Sequence, residues 1–312
     1  MTAFVVHRDD VSGITRGVAP VTGFWSDLGR AAGTVTCGVR RIQCEPGNRT
    51  TPVHMEGADE EIFFVLGGSG LSWQDGKAYE LRTGDVIVHR RREEAHTVIA
   101  GPAGIDVLAY GTRYWRGGAL LPRVGVAWQY PAWFAVEQGP DPFTREAAVG
   151  ELDVPAPSPR KASIRNLDEV DWEHGGNADR GGGSAYSWRN MGVACGSVES
   201  GLRYFTILAG KLGPPPHCHA AEEEIFHVLA GSGTLWLGDE RIPVREGHVV
   251  ARPAGTRVAH AFEAGADGLE FLAYGTRDPN DIVYYPRSNK VFLRGIGVIA
   301  RLEKLDYWDG ES

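Results

Sequence analysis

A ten-residue segment occurs twice in this chain, and that restricts the fold more than any other feature of the sequence. Residues 61–70 read EIFFVLGGSG and residues 224–233 read EIFHVLAGSG, identical at eight of ten places at an offset of 163. At the same offset Pro52 and His54 answer Pro215 and His217, Trp73 answers Trp236, and Gly84 answers Gly247. One residue of slippage later, LAYGTR at 108–113 returns at 272–277. So many identities in one order make the chain a duplication, with copies in roughly 20–120 and 185–285. Between them lies ELDVPAPSPRKAS at 151–163, rich in proline and short polar residues, which reads as a stiff exposed linker. The expected division is therefore 1–150 and 151–312.

Within each copy, short apolar runs are separated by turn signals such as GGSG, QDGK, GDE and PAGT. Glu61–Leu66, Leu71–Trp73, Val86–Val88, Glu224–Leu229, Thr234–Leu237 and Leu269–Tyr274 read as strands. With 42 glycines and 18 prolines in 312 residues, long helices are disfavoured. The fold class is all-β, a sandwich or barrel. Helices are expected only at the termini and in 130–150.

The second copy contains PPHCHAAEEEIFHVLAGSG. On a strand, residues i and i+2 share a face, so His217 and His219 can converge on one point. Glu224 follows at the head of the next strand, and GHVVARPAGTRVAHAF brings His260 from a later one. Three imidazoles and a carboxylate suit a mid-series divalent ion (Fe, Mn, Co, Ni or Zn) better than calcium or magnesium.

The pattern H-x-H-x4-E-x6-G ending at Gly231, followed by G-x5-P-x-G ahead of a histidine, resembles the two motifs of the cupin superfamily. The duplication resembles a bicupin, the arrangement of oxalate decarboxylases and some ring-cleaving dioxygenases. The YGTR…YP stretch (Tyr274–Arg277, Tyr285–Pro286) is similar to that of cupin-2 conserved-barrel proteins. The resemblance implies two tandem jelly-roll β-barrels with metal ligands at His217, His219, Glu224 and His260. Four protein ligands on an octahedral ion would leave two positions open for a chelating substrate or dioxygen. The second motif departs from the family pattern, with four residues instead of two between the PxG glycine and the histidine.

The first copy is altered. It offers His54, Glu61 and His96 as a possible second metal site, with Glu56 in the place of the second histidine. Its oxygen donors shift preference toward manganese or iron. The PxG turn is replaced by HRRREEAH at 89–96, in which His89 could stand in as a ligand but reads first as a surface residue beside three arginines.

Other residues take smaller roles in this reading. Phe226, Val228 and Phe262 can line the cavity, which makes Phe226 and Phe262 substrate candidates. Arg252, just before the PAGT turn, is a candidate partner for a substrate carboxylate. Cys218 points to the opposite strand face and reads as a packed thiol. His227 reads as packed in the sheet or at a subunit contact, and His248 as a structural turn residue. Glu222 and Glu223 read as a solvated turn. No residue stands out as a catalytic acid or base, and no cofactor is assigned besides the metal.

The formal charge of −8 without a dense basic run argues against nucleic acid or anionic membrane as a partner. No stretch of about 18 apolar residues is present to span a bilayer. MTAFVVHRDDVSG lacks the pattern of a secretory signal, and four cysteines without a CxxC pair fit a reducing cytoplasm. The expected function is metal-dependent chemistry on a small oxygen-rich organic substrate, with a dioxygenase-type oxidoreductase ahead. A manganese or zinc sugar isomerase, a carboxylate decarboxylase and a non-enzymatic small-ligand barrel are the alternatives. The resemblance suggests a homodimer.

Overall fold

The computed structural model describes residues 4–113, 117–129, 132–135 and 139–311. It consists of two β-barrels built on one plan, each an eight-stranded sheet closed by a four-stranded one. In the first barrel the large sheet is centred on Glu61–Gln74, flanked by Asp85–His89 and His96–Thr112, and continues to Cys37–Cys44. In the second barrel Glu224–Leu237, His248–Arg252, His260–Gly275 and Gly201–Ile207 take the same places. The small sheets contain Met55–Glu56 in one barrel and Cys218–His219 in the other.

Alternation along the strands sorts side chains between barrel interior and barrel seam. In Gly201–Ile207, Phe205 and Ile207 join the core of the second barrel. Leu202 instead joins a core shared by both barrels. That shared core also takes Val39, Ile62 and Tyr110 from the first barrel and Ile225 and Tyr274 from the second. Tyr110 and Tyr274 stack across it with ring centroids 5.1 Å apart.

The segments GGSG and AGSG are not turns. Glu61–Gln74 and Glu224–Leu237 run through them as continuous strands, with register shifts at Val65/Gly67, Gly68/Gly70, Val228/Ala230 and Gly231/Gly233. Gly68 (φ 80°) and Gly231 (φ 75°) have left-handed backbones, and a Cβ on either would lie 2.3 Å from the carbonyl oxygen of Gly104 or Gly268. Glycine thus lets one long strand bend around a barrel corner through a bulge. Three α-helices occur among the described residues, at Leu28–Ala31, Pro142–Ala148 and Met191–Ala194. Only the second lies where a helix is expected. The other two are single turns at equivalent places in the two copies.

Two strands cross the division at 150/151. Val5–His7 pairs with His248–Arg252 of the second barrel, and Ile164–Asn166 pairs with Asp85–His89 of the first. Each barrel therefore completes its large sheet with a strand from the other half of the sequence. The linker is fastened as well. Trp73 Nε1 donates to the Asp153 carbonyl (2.8 Å), Ser158 N–H donates to the Ala78 carbonyl (2.7 Å), and Lys161 pairs with Glu94.

Glu60 and Glu223 lock the seam reciprocally. Glu223 accepts hydrogen bonds from the backbone N–H groups of Val35 (2.8 Å), Thr36 and Cys37 (2.9 Å) in the first barrel. Glu60 accepts from Val198 N–H (2.9 Å), Ser200 N–H (3.1 Å) and Ser200 Oγ (2.8 Å) in the second. Both side chains are buried, each at 1 % exposure, so these bonds replace water completely. Adjacent glutamates at a strand head read as a solvated turn only while the partner barrel is unseen. Glu222 is buried too, paired with Arg294.

Candidate metal centres

In the second barrel the fold brings His217, His219, Glu224 and His260 together from two sheets. His217 forms a backbone bridge with His260, and their ring centroids lie 4.5 Å apart. Glu224 Oε2 is 3.2 Å from His219 Nε2 and 3.1 Å from His260 Nε2. The far side of each of the first two rings is held. His217 Nδ1 donates to the Pro215 carbonyl (2.8 Å), and His219 Nδ1 donates to Asp281 Oδ2 (2.6 Å). Those bonds turn each Nε2 toward the cluster, the orientation a metal-binding imidazole needs.

Electrostatics sharpen the arrangement. Burial and the adjacent His260 imidazole hold His217 down at about 3. Burial opposes a charge on His219 as well, but the carboxylates of Glu224 and Asp281 overcome it and push the ring up to about 10. Burial lowers His260. Glu224 is held well below its usual range, since the flanking imidazoles outweigh its burial. Asp281 falls to about 2: burial is overcome by His219 and by the N–H groups of Ala221 and Glu222, which donate to Oδ1.

His219 Nε2 and His260 Nε2 are sealed from solvent, and their contacts to the equally buried Glu224 Oε2, at 3.2 and 3.1 Å, are ion-pair contacts and not well-aligned hydrogen bonds. Two imidazole nitrogens and a carboxylate oxygen turned on one point, and only poorly satisfied by one another, are a set that a cation would complete. The residues fit a divalent ion of the kind three imidazoles and a carboxylate favour.

The first-barrel cluster is built likewise but closes differently. His54 and His96 bridge through the backbone with ring centroids 4.5 Å apart, and His54 Nδ1 donates to the Pro52 carbonyl (3.0 Å). Here His96 Nε2 hydrogen-bonds to Glu61 Oε2 (3.1 Å), while His54 Nε2 lies 3.5 Å from Glu61 and 3.7 Å from Glu56. Burial and the nearby Glu61 raise Glu56 to about 8. His89 is not at the surface. It is 1 % exposed and stacks flat on His96, centroids 3.6 Å apart. The strand pairing forces this, because His89 lies directly opposite Glu61 and so shares its inward face.

Beside the second cluster lies a cavity of about 710 Å³. Phe226 and Phe262 line it together with Phe205 and Phe271. Val228 lies deeper, in the barrel core. Arg252 is not among the lining residues. It is opposite Glu224 on the neighbouring strand, 3 % exposed, and donates to Thr256 Oγ1 (3.2 Å) and the Val258 carbonyl (2.6 Å). It therefore fixes the loop leading to His260. Cys218 is buried outside the cluster, and all four cysteines are free. His227 is fully buried in the sheet, and His248 Nδ1 bonds to the backbone of Arg245. Asp281 is the residue that sequence reasoning missed. It lies 62 residues beyond His219 in a turn, DPND, that belongs to no motif.

Two barrels of this topology, each with a histidine–glutamate cluster, define a duplicated metal-binding β-barrel protein. The cupin domain matches twice, over residues 40–103 and 203–273, and the chain is a bicupin. No curated protein sequence matches it. Among solved structures it is similar to the oxalate decarboxylase of Bacillus subtilis studied for its Mn(II) centres. That likeness has 13 % identity and a TM-score of 0.58, covering 89 % of this chain and 78 % of the other. It is also similar to Lactobacillus farciminis oxalate decarboxylase in its formate complex, at 14 % identity and a TM-score of 0.57, over 87 % and 85 %. No helix among the described residues is long and apolar enough to cross a membrane.

Proposed function

We propose that the second barrel is a divalent-metal enzyme site in which His217, His219, Glu224 and His260 are the protein ligands. Its substrate is a small oxygen-rich organic molecule and its reaction a dioxygenase-type oxidation. The observation that carries this reading is the union of unsatisfied donor atoms with a large aromatic-walled cavity. A two-carbon acid would leave most of about 710 Å³ empty, whereas an aromatic or enolised molecule can pack against Phe226, Phe262 and Phe271. An iron, manganese, nickel or zinc ion there would supply Lewis acidity, and ferrous iron would also supply dioxygen chemistry. Pro215 and Asp281 hold the imidazoles in orientation, and the phenylalanines exclude water from the reacting face. In the first barrel His54, Glu56, Glu61 and His96 form a second, weaker ion site.

Carboxylate decarboxylation is the second reading, favoured by the likeness of the fold to the two oxalate decarboxylases. Oxygen-electrode assays on protein loaded with Fe(II), and separately with Mn(II), distinguish the two. Oxygen uptake with catechol-like acids or diketones that His217→Ala removes supports the dioxygenase. Carbon dioxide release without oxygen uptake assigns the decarboxylase. Absence of any turnover overturns both in favour of a binding barrel. The likeness to cupins and the four free cysteines extend the proposal to a cytoplasmic homodimer, which sedimentation velocity and cell fractionation check.

A further inference from the structure

The duplication supplies an internal control for every residue around the second-barrel cavity, and one pair of equivalent positions stands out. Asp27 is the N-cap of Leu28–Ala31 in the first barrel, and Asn190 is the N-cap of Met191–Ala194 in the second. Their backbones match closely, φ −86° and ψ 80° against φ −85° and ψ 72°. Their side chains behave differently. Asp27 accepts from Arg30 N–H (2.9 Å) as a helix cap, whereas Asn190 makes no capping bond and lines the cavity.

Two arginines contact the first cap, and their counterparts line the same cavity as the second. In the first barrel Arg113 packs over Gly38 and donates to Asp27 Oδ1 at 2.7 Å, while Arg40 Nε lies 4.0 Å from Asp27 Oδ2. In the second barrel Arg277 packs over Gly201 in the same way, and Arg203 holds the register position of Arg40. Both second-barrel arginines line the cavity. Neither has an acidic partner among the described residues, and the one bond seen is from Arg277 Nη1 to the Ser200 carbonyl at 3.5 Å. The third cavity arginine, Arg294, is already paired with Glu222. The carboxylate that neutralises the pair in one barrel has thus become an amide in the other, and only there do the guanidiniums face a cavity beside the metal donors.

We propose that Arg203, Arg277 and Asn190 anchor the carboxylate of an organic-acid substrate whose other, oxygen-bearing end faces the second-barrel metal donors, an assignment that rests on the enzyme function proposed above. Two guanidiniums present a carboxylate with paired N–H donors, and the Asn190 amide adds a neutral donor where Asp27 would repel it. The same cavity is walled by Phe205, Phe226, Phe262 and Phe271, so the favoured substrate carries its carboxylate on an apolar or aromatic frame.

Titration calorimetry on metal-loaded protein tests this with benzoate and its uncharged counterpart benzamide as probes. Benzoate should bind at least about tenfold more tightly than benzamide, and Asn190→Asp should remove that preference. The double variant Arg203→Gln/Arg277→Gln should do the same without altering the metal content measured on the same samples. Equal binding of the two probes, no benzoate binding, or a preference that survives both variants overturns the anchor. If the protein holds no metal yet benzoate preference obeys Asn190→Asp, the enzyme reading falls and the anchor stands. If metal and turnover are present without that preference, the anchor alone falls.

Discussion

In the first barrel His96 is pinned on both faces of its chemistry, hydrogen-bonded to Glu61 at 3.1 Å and stacked beneath His89. In the second barrel His260 lies the same 3.1 Å from Glu224, yet neither ring nitrogen of His260 is bonded. The residue at the place of His89 is now Arg252, which is bonded to Thr256 and Val258. The scaffold is unchanged, since both bridging histidine pairs keep a centroid spacing of 4.5 Å. The comparison teaches that a donor set is defined as much by what its neighbours leave unsatisfied as by its own residues. The first cluster closes one hydrogen bond within itself, from His96 to Glu61, whereas the second closes none and is the better disposed to hold an ion.

The largest expected effect follows directly. His217→Ala should lower second-barrel metal affinity at least about a hundredfold, and His54→Ala should change total metal content far less. Elemental analysis after equilibration with Mn(II) or Fe(II) measures both, and equal losses would erase the distinction between the barrels. Next come the seam glutamates. Glu60→Gln and Glu223→Gln should each destabilise the whole chain by about 2–4 kcal/mol in urea unfolding. Because the locks are reciprocal, the two values should be similar, and a large difference would show that one barrel folds without the other.

Asp281→Asn probes a smaller asymmetry, the orientation of His219. It should weaken second-barrel metal binding by about 10–100-fold and leave the first barrel unaffected. The smallest effect expected is from Glu56→His, which gives the first barrel an imidazole at the place that His219 holds in the second. First-barrel affinity should then move toward zinc or nickel over manganese by about tenfold. No change in that ratio would mean that His89 and Glu61, not residue 56, set the character of the cluster.

Much of this was legible in the residues. The duplication and the β class follow from repeats and spacing, strand geometry puts His217 and His219 on one face, and the cupin resemblance adds Glu224 and His260 to them. Glycine was harder to read, since GGSG signals a turn and a strand-bending bulge equally well. His89 beside three arginines reads as surface, and only its pairing opposite Glu61 turns it inward. Glu222 and Glu223 read as solvated because the groups that bury them come from residues 35–37 and from Arg294.

The sequence by itself determined the two barrels, the strands that carry the histidine–glutamate clusters and the difference between them at Glu56 and His219. Those depend on local period and on identities between copies. Only the tertiary structure decided that the halves exchange a strand each, that Asp281 orients His219, and that among the described residues Arg203 and Arg277 stand without the carboxylate their first-barrel counterparts have. Such facts join residues tens to hundreds of positions apart, and chain spacing carries no record of which distant groups burial will bring into contact.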